Sequence, residues 1–416
     1  MSTPPEERQT ESAMRLPQFR RYFAARISGS TAGQMQSVAI GWQVYEMTGS
    51  PLDLGIVGLC IFLPELSLAL ITGQVADHFD RRRVLALATA LDALCVLALL
   101  ALTVAGNRDV YLIFAVLVLT GTARAFQAPA SFALLPNLVR PQQFANAAAW
   151  ISAAWQAAAV AGPALGGFLY LLGPQVTYGT CATLLLLSAF MVSTVQLVTT
   201  TLKRGVINWQ SMLAGVRFIR HHPLVLGATT LDLFAVLLGG ATALLPIYAK
   251  DILDVGPSGL GILRSAPAVG ALIAAVIMLR WPIRRDTGKA LLAWVGVFGL
   301  ATIAFGVSAN LWLSLAMLAL LGGADMVSVI VRRVLIQIAT PDEMRGRVSA
   351  VESVFIGASN ELGEFRAGVM GALFGVVPAV VIGGIGTVLV VAFWTRLFPE
   401  LRAVDRLESA APHATP

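Results

Sequence analysis

Residues 84–104 read VLALATALDALCVLALLALTV, a single carboxylate in an otherwise uncharged, mostly apolar run. Runs of about 20 such residues recur along the whole chain, and as a helix each is long enough to cross the ~30 Å hydrocarbon core of a bilayer. In hydrocarbon every backbone N–H and C=O must find a partner within the protein, which leaves helices or a closed β-barrel. A barrel needs alternating polarity along its strands, and these runs do not alternate. Composition points the same way. Of 416 residues 57% are hydrophobic and 12% charged, with a mean hydropathy of +0.76, against roughly 25% charged in a soluble domain. The expected fold class is all-α integral membrane.

Glycines, prolines and charged flanks divide the chain into about twelve spans, at roughly 22–48, 51–76, 84–105, 110–136, 144–172, 176–198, 223–249, 257–280, 288–308, 310–336, 346–372 and 375–397. The expected organisation is a polar tail at 1–21, a six-helix bundle at 22–198, a joining loop at 199–222, a second six-helix bundle at 223–398 and a tail at 399–416. The first tail lacks the apolar core and cleavage site of a signal peptide. In the loop, Trp209, Leu213 and Val216 recur at helical spacing near Arg217 and Arg220. That pattern predicts a short amphipathic helix on the inner leaflet, with an ordinary linker as the alternative.

Basic residues fall on one side of these spans. With the N-terminus inside, Arg81, Arg82, Arg83, Lys203, Arg204, Arg284, Arg285, Arg345 and Arg347 are among the cytosolic residues, while the opposite loops hold only Arg108 and Lys250. Both termini are therefore expected in the cytosol, in a multi-pass protein of the bacterial inner membrane. The net charge of +6 is this topology signal and calls for no nucleic-acid partner. Cys60, Cys95 and Cys181 lie within spans and read as small buried hydrophobes. The four histidines lie outside the spans, so no metal site is expected. There is no G-x-x-x-x-G-K-[ST] phosphate loop, which excludes an ATPase of that type, and no soluble enzyme reading survives the composition. No cofactor is expected, and any pumping must draw on an ion gradient, for which a proton gradient is the expectation, or on a partner chain.

The chain also repeats itself. PLDLGIVG at 51–58 matches PSGLGILR at 257–264, and the offset of about 206 brings Asp80 over Asp286 and Arg83 over Lys289. Two related sets of six spans are what a parallel internal repeat in a transporter looks like, which makes the two bundles pseudo-symmetric.

Three stretches carry a family resemblance. GQVADHFDRRR at 73–83 supplies Gly73, Asp77, Arg82 and Arg83; GTARAFQAPAS supplies Arg124 and Gln127; AVAGPALGG supplies Gly162, Pro163, Gly166 and Gly167. In order and spacing they resemble the loop after the second span, the polar stretch of the fourth and the G-P-x-x-G-G core of the fifth in the major facilitator superfamily. The texture is similar to the bacterial branch that includes the enterobactin exporter and drug:proton antiporters. His78 and Asp80 depart from the loop pattern, where a basic residue and a glycine are usual. The resemblance implies a twelve-helix transporter, monomeric by family default, in which the 73–83 cluster latches the two halves. In proton-coupled members the residue matching Arg124 tunes a nearby carboxylate. Physically, Gly73 and the Gly162–Gly167 stretch permit close helix approach. The basic triplet is equally explained by positive-inside anchoring.

Ionisable residues inside spans mark the candidate chemistry, because a charge at the bilayer centre costs at least ~2.5–3.5 kcal/mol unless it is paired or faces water. In GASNELGEFRAG, at 357–368, Glu361 and Glu364 share one helical face with Gly357 and Gly368, next to Asn360. Two carboxylates so close in a low dielectric do not both ionise comfortably, an arrangement suited to carrying a proton. The alternative is a fixed ion pair with Arg366 or with Arg264 on span eight. Asp232 and Asp325 compete for the proton role, because the resemblance places spans one, four, seven and ten around the central cavity. Asp325 and Arg332 fall at i,i+7, and Asp325 nearly matches Arg124 in the repeat. Glu65 and Asp92 are weaker candidates. On span one, Arg26, Ser30, Gln34 and Ser37 form a polar stripe suited to lining a cavity, and Arg124 and Arg264 add positive charge to it. The expected function is proton-coupled efflux of a small organic molecule, siderophore or drug, by rocking of the two halves. A lipid or lysolipid flippase on the same fold and a transport-inactive receptor or assembly factor are the alternatives.

Overall fold

The computed structural model describes residues 12–197 and 209–405. Among these residues twelve long helices carry the chain. The first six are α1 Pro17–Thr48, α2 Pro51–His78, α3 Arg81–Val104, α4 Val110–Leu134, α5 Phe144–Tyr170 and α6 Pro174–Ser193. The short helix α7, Trp209–His221, follows. Then come α8 Pro223–Gly239, a single turn α9 Leu245–Ile247, α10 Gly256–Arg280, α11 Thr287–Gly306, α12 Leu311–Ala339, α13 Asp342–Phe374, α14 Val376–Leu397 and the short α15 Pro399–Ala403.

Among the described residues nine segments are long and apolar enough to cross a membrane by length and composition alone. The other three long helices fall short for different reasons: α1 and α13 carry many charged and polar residues, while α5 is rich in alanine and glycine. Leu87, Leu94, Phe132, Phe190, Leu279 and Phe393 each expose more than half of their surface. In water such a coat would aggregate, and against acyl chains it is the favourable surface.

The helix starts show the internal repeat in structure. Asp109 caps α4 by accepting from the Tyr111 N–H at 2.9 Å, and about 200 residues later Asn310 caps α12 by accepting from the Trp312 N–H at 2.9 Å. Asp80 caps α3 and pairs with Arg83 at 3.7 Å. Asp286 precedes α11 and pairs with Lys289 at 2.7 Å.

One expected span is broken. Residues 223–249 read as continuous, yet α8 ends at Gly239, and the chain continues as short 3₁₀, α and π turns to Ile252. Gly239 sits so close to α11 and α14 that a Cβ there would lie 2.5 Å from the Phe298 ring and 2.8 Å from Thr387 Oγ1. Pro246 then withholds an N–H from any continuing helix.

The chain divides into two compact units, Met1–Met47 with Cys60–Val206, and Thr48–Leu59 with Ile207–Pro416. The first turns of α2, expected with the first bundle, group with the second unit. The reason is a close approach. A Cβ on Gly55 would lie 3.2 Å from Phe365 Cα and 3.3 Å from Gly368 Cα of α13, so the absence of a side chain is what seats this segment there.

In the first unit Phe19, Tyr22, Leu85, Leu134 and Leu138 are buried together. In the second, Leu231, Leu291, Leu335, Val351 and Leu401 form the core, and α7 adds Ile219 to it. Val216 packs against that core while Leu213 is exposed. The helix between the bundles thus exists, and it is seated on α13, where a Cβ on Gly215 would lie 2.8 Å from the Arg347 carbonyl oxygen. The start of the joining loop, through residue 208, and the Trp209 side chain lie outside the described residues.

Candidate functional site

The first unit encloses a cavity of about 330 Å³. The polar stripe on α1 forms one wall: Arg26, Ser30, Gln34 and Ser37 all line it. Opposite them stand Glu65 of α2, Asp92 of α3, and Arg124 and Gln127 of α4. Asp92 is 3% exposed, and its Oδ2 accepts from Gln127 Nε2 at 3.1 Å. Its Oδ1 has no hydrogen-bond partner among the described residues. Arg124 donates to Gln36 Oε1 at 3.0 Å and lies within electrostatic reach of both Glu65 and Asp92. Arg26 Nε is buried without a partner among the described residues. The cavity thus combines two carboxylates and two guanidinium groups with unsatisfied hydrogen-bonding capacity of both signs.

The helix-packing stretch on α5 holds this wall in place. A Cβ on Gly162 would lie 2.5 Å from Gln34 Cβ, and one on Gly166 would lie 2.8 Å from Met35 Cα. Pro163 and Gly167 are buried with them. Small residues on α5 therefore set how closely α1 approaches, and with it the position of Gln34 in the cavity.

The 73–83 loop behaves differently from expectation at two points. A Cβ on Gly73 would meet nothing within 4 Å among the described residues, so no close approach is found there. Asp80, the departure from the family pattern, organises the arginines: it accepts from the Arg82 N–H at 3.0 Å and pairs with Arg82 at 3.4 Å. Arg82 Nη1 also donates to the Val195 carbonyl at 3.1 Å, while Arg83 is largely exposed. The Asp77 side chain lies outside the described residues.

In the second unit the polar residues form two groups. Glu364 Oε1 accepts from Thr242 Oγ1 at 2.8 Å, a contact made possible by the break after α8. A Cβ on Gly58 would lie 3.1 Å from Glu361 Oε2 and 3.5 Å from Glu364 Oε2, so both carboxylates face this glycine. Arg264 of α10 feels the charges of Glu364 and Glu361. Of the two ion-pair partners open from sequence, the structure brings Arg264 toward the glutamates. Arg366 Nε and Nη2 are buried without hydrogen-bond partners among the described residues, and a Cβ on Gly383 would lie 2.9 Å from its Nη2. Asn360 is exposed.

The other group centres on Asp232 of α8, which forms a buried ion pair with Arg332 of α12. Asp325 is half-buried two turns before Arg332 on the same face of α12, within electrostatic reach of both. Glu352 of α13 joins the network from a third helix. Sequence reasoning did not single out Gln36, Thr242 or Glu352. No periodic signal marks them, since each gains its role from a partner on another helix.

A twelve-helix membrane fold with an internal repeat and buried charges around a polar cavity defines a major facilitator-type transporter, not an enzyme. The chain belongs to the transmembrane secretion effector family of that superfamily, whose family model matches residues 9–416. It is 28% identical over 364 residues to the multidrug efflux pump Tap of Mycolicibacterium fortuitum, covering 83% of this chain and 87% of that protein. It is 24% identical over 405 residues to the enterobactin exporter EntS of Escherichia coli O1:K1 / APEC, covering 96% and 95%. Its fold matches an inward-facing, occupied bacterial homologue of the human lysosomal transporter Spinster, with a TM-score of 0.72 at 13% identity over 93% of this chain and 98% of that one. It also matches a bacterial homologue of the iron transporter ferroportin, with a TM-score of 0.68 at 18% identity over 95% and 100%. The chain is a multi-pass inner-membrane protein.

Proposed function

We propose that the chain exports a small organic molecule, of the siderophore or drug type that its relatives are named for, in exchange for protons. The observation that carries this reading is the first-unit cavity, where the buried Asp92 stands beside Arg124 with one carboxylate oxygen held by Gln127 and the other without a partner among the described residues. A proton on Asp92 removes the charge that faces Arg124 and changes what the same cavity holds. Proton and cargo are then linked through one site, and a gradient of one biases the other. Glu361 and Glu364, with Thr242 and Arg264 beside them, are the corresponding candidate in the second unit. The cycle is alternating access by two six-helix bundles of a monomer, with both termini in the cytosol.

The test compares spent medium from cells carrying the intact chain, cells lacking it, and cells carrying Asp92→Asn or Glu361→Gln with Glu364→Gln, each with and without a protonophore. The expected result is a metabolite that appears outside only with the intact chain and an intact gradient. A metabolite exported equally by both variants, or unaffected by the protonophore, would remove proton coupling through these carboxylates. Indistinguishable media from intact and deleted cells would overturn export itself under those conditions.

A further inference from the structure

We propose that the second unit carries a separate binding site for a small organic carboxylate, between the last turns of α12 and the first half of α13. The site is a cavity of about 330 Å³. It shares no residue with the first-unit cavity and contains neither Glu361 nor Glu364. Its lining carries three guanidinium groups, Arg332, Arg333 and Arg345, against the single carboxylate of Glu352. At the helix junction Thr340 is 2% exposed, and its Oγ1 has no hydrogen-bond partner among the described residues. Buried hydroxyls are almost always satisfied, by protein, water or ligand.

The charges do not cancel within the cavity. Asp232 neutralises Arg332 from α8, with Asp325 also within its reach, and Glu352 lies in the fields of Arg332 and Arg333. Among the described residues Arg345 is paired only with Asp342, which is 79% exposed, where water screens the pair. Arg345 is nevertheless fixed in place, because its Nε donates to the carbonyls of Gln337 at 3.1 Å and Thr340 at 3.2 Å. One positive charge held in place and balanced only by a solvent-screened partner, next to an unsatisfied hydroxyl, matches one carboxylate. Ile336 and Val348, both nearly fully buried, give the cavity an apolar wall, so the carboxylate has an apolar body. The volume lies near the small end of the ~300–1,000 Å³ range of ligand pockets, which limits that body to about the size of one ring.

The inference goes beyond export and is tested without it. Benzoate is titrated calorimetrically into the purified full-length chain in detergent, alongside its neutral isostere benzamide and inorganic phosphate. Saturable benzoate binding is expected, with benzamide and phosphate each at least about tenfold weaker, the benzamide difference reflecting one charge-assisted hydrogen bond. Thr340→Val and Arg345→Gln are each expected to weaken benzoate about tenfold, and Arg345→Lys less than Arg345→Gln. Thr340→Val removes no hydrogen bond found among the described residues, so it keeps the test valid if Arg345→Gln misfolds. Equal binding of benzoate and benzamide, equal binding of phosphate, or unchanged affinity in Thr340→Val would each overturn the site. Loss in Arg124→Gln with full retention in Arg345→Gln would move the ligand to the first-unit cavity and overturn it too. Failure of the export test leaves these outcomes untouched, and the reverse also holds.

Discussion

Asp232 of α8 and Arg332 of α12 form an ion pair whose side chains are 9% and 3% exposed. Each charge is tolerable inside the bundle because the other is present. Asp232→Asn or Arg332→Gln alone is therefore expected to cost about 3–5 kcal/mol, since each strands one buried charge. The double variant is expected to recover part of that loss, and the recovered part is the coupling between the two residues. Reversible unfolding of the purified protein in detergent checks this. Additive losses in the double variant would show that the two groups are stabilised independently.

Gly166 reports on how closely α1 and α5 approach. A Cβ there would meet Met35 backbone, which cannot rotate away as a side chain could. Gly166→Ala is expected to destabilise by about 1–3 kcal/mol through overpacking. Gly179 on α6 has nothing within 4 Å of its Cβ position among the described residues, so Gly179→Ala serves as the control. It is expected to leave stability unchanged or raise it by up to about 1 kcal/mol, because alanine is the better helix former. Melting temperatures of the two variants, measured side by side, decide the matter.

Gln127 holds one oxygen of Asp92. Gln127→Leu is expected to strand that carboxylate and cost about 1–3 kcal/mol. Asp92→Asn replaces it with a neutral amide, so the double variant is expected to be more stable than Gln127→Leu alone. Thermal unfolding measures the stability order, and the spent-medium assay measures export by the same proteins. Stability restored in the double variant without export would assign the charge of Asp92 to transport and the amide of Gln127 to positioning it.

The helices were legible in the sequence because hydrocarbon leaves a twenty-residue apolar run no other fold. Their starts were placed from glycine, proline and charged flanks, and in the structure Asp80, Asp109 and Asn310 cap three of them. The α1 stripe of Arg26, Ser30, Gln34 and Ser37 was legible for a similar reason, since one helical face is a matter of period alone. The break after Gly239 was not, because membrane helices tolerate glycine and proline, and only contact with Phe298 and Thr387 shows why the chain leaves the helix there. The convergence of Asp92, Glu65 and Arg124 was hidden for another reason. Their spacing on three helices carries no period, and the expected placement of spans one, four, seven and ten around the cavity put Glu65 and Asp92 below Asp232 and Asp325, although Arg124 itself was expected to line it. Arg332 shared a face with Asp325 in sequence, yet its ion-pair partner is Asp232 on a different helix.

The segment after α14 returns to the start of α11. The Thr287 and Gly288 N–H groups donate to the carbonyls of Asp405 at 3.1 Å and Val404 at 3.0 Å, and the Asp286 N–H donates to Asp405 Oδ1 at 3.0 Å. These contacts satisfy N–H groups that a helix start leaves without partners. Leu401 is fully buried in the second-unit core. Leu401→Ala is expected to cost about 2–5 kcal/mol, because it opens a cavity beneath this return segment. Asp405→Ala removes only the bond to Asp286 at an exposed site and is expected to cost about 0.5–1.5 kcal/mol. Amide exchange at Thr287 and Gly288 separates the two effects. Protection at both positions should fall sharply in Leu401→Ala and only slightly in Asp405→Ala, because their acceptors are backbone carbonyls that Asp405→Ala retains. Equal loss in the two variants would mean that the Asp405 side chain, rather than burial of Leu401, holds the segment against α11.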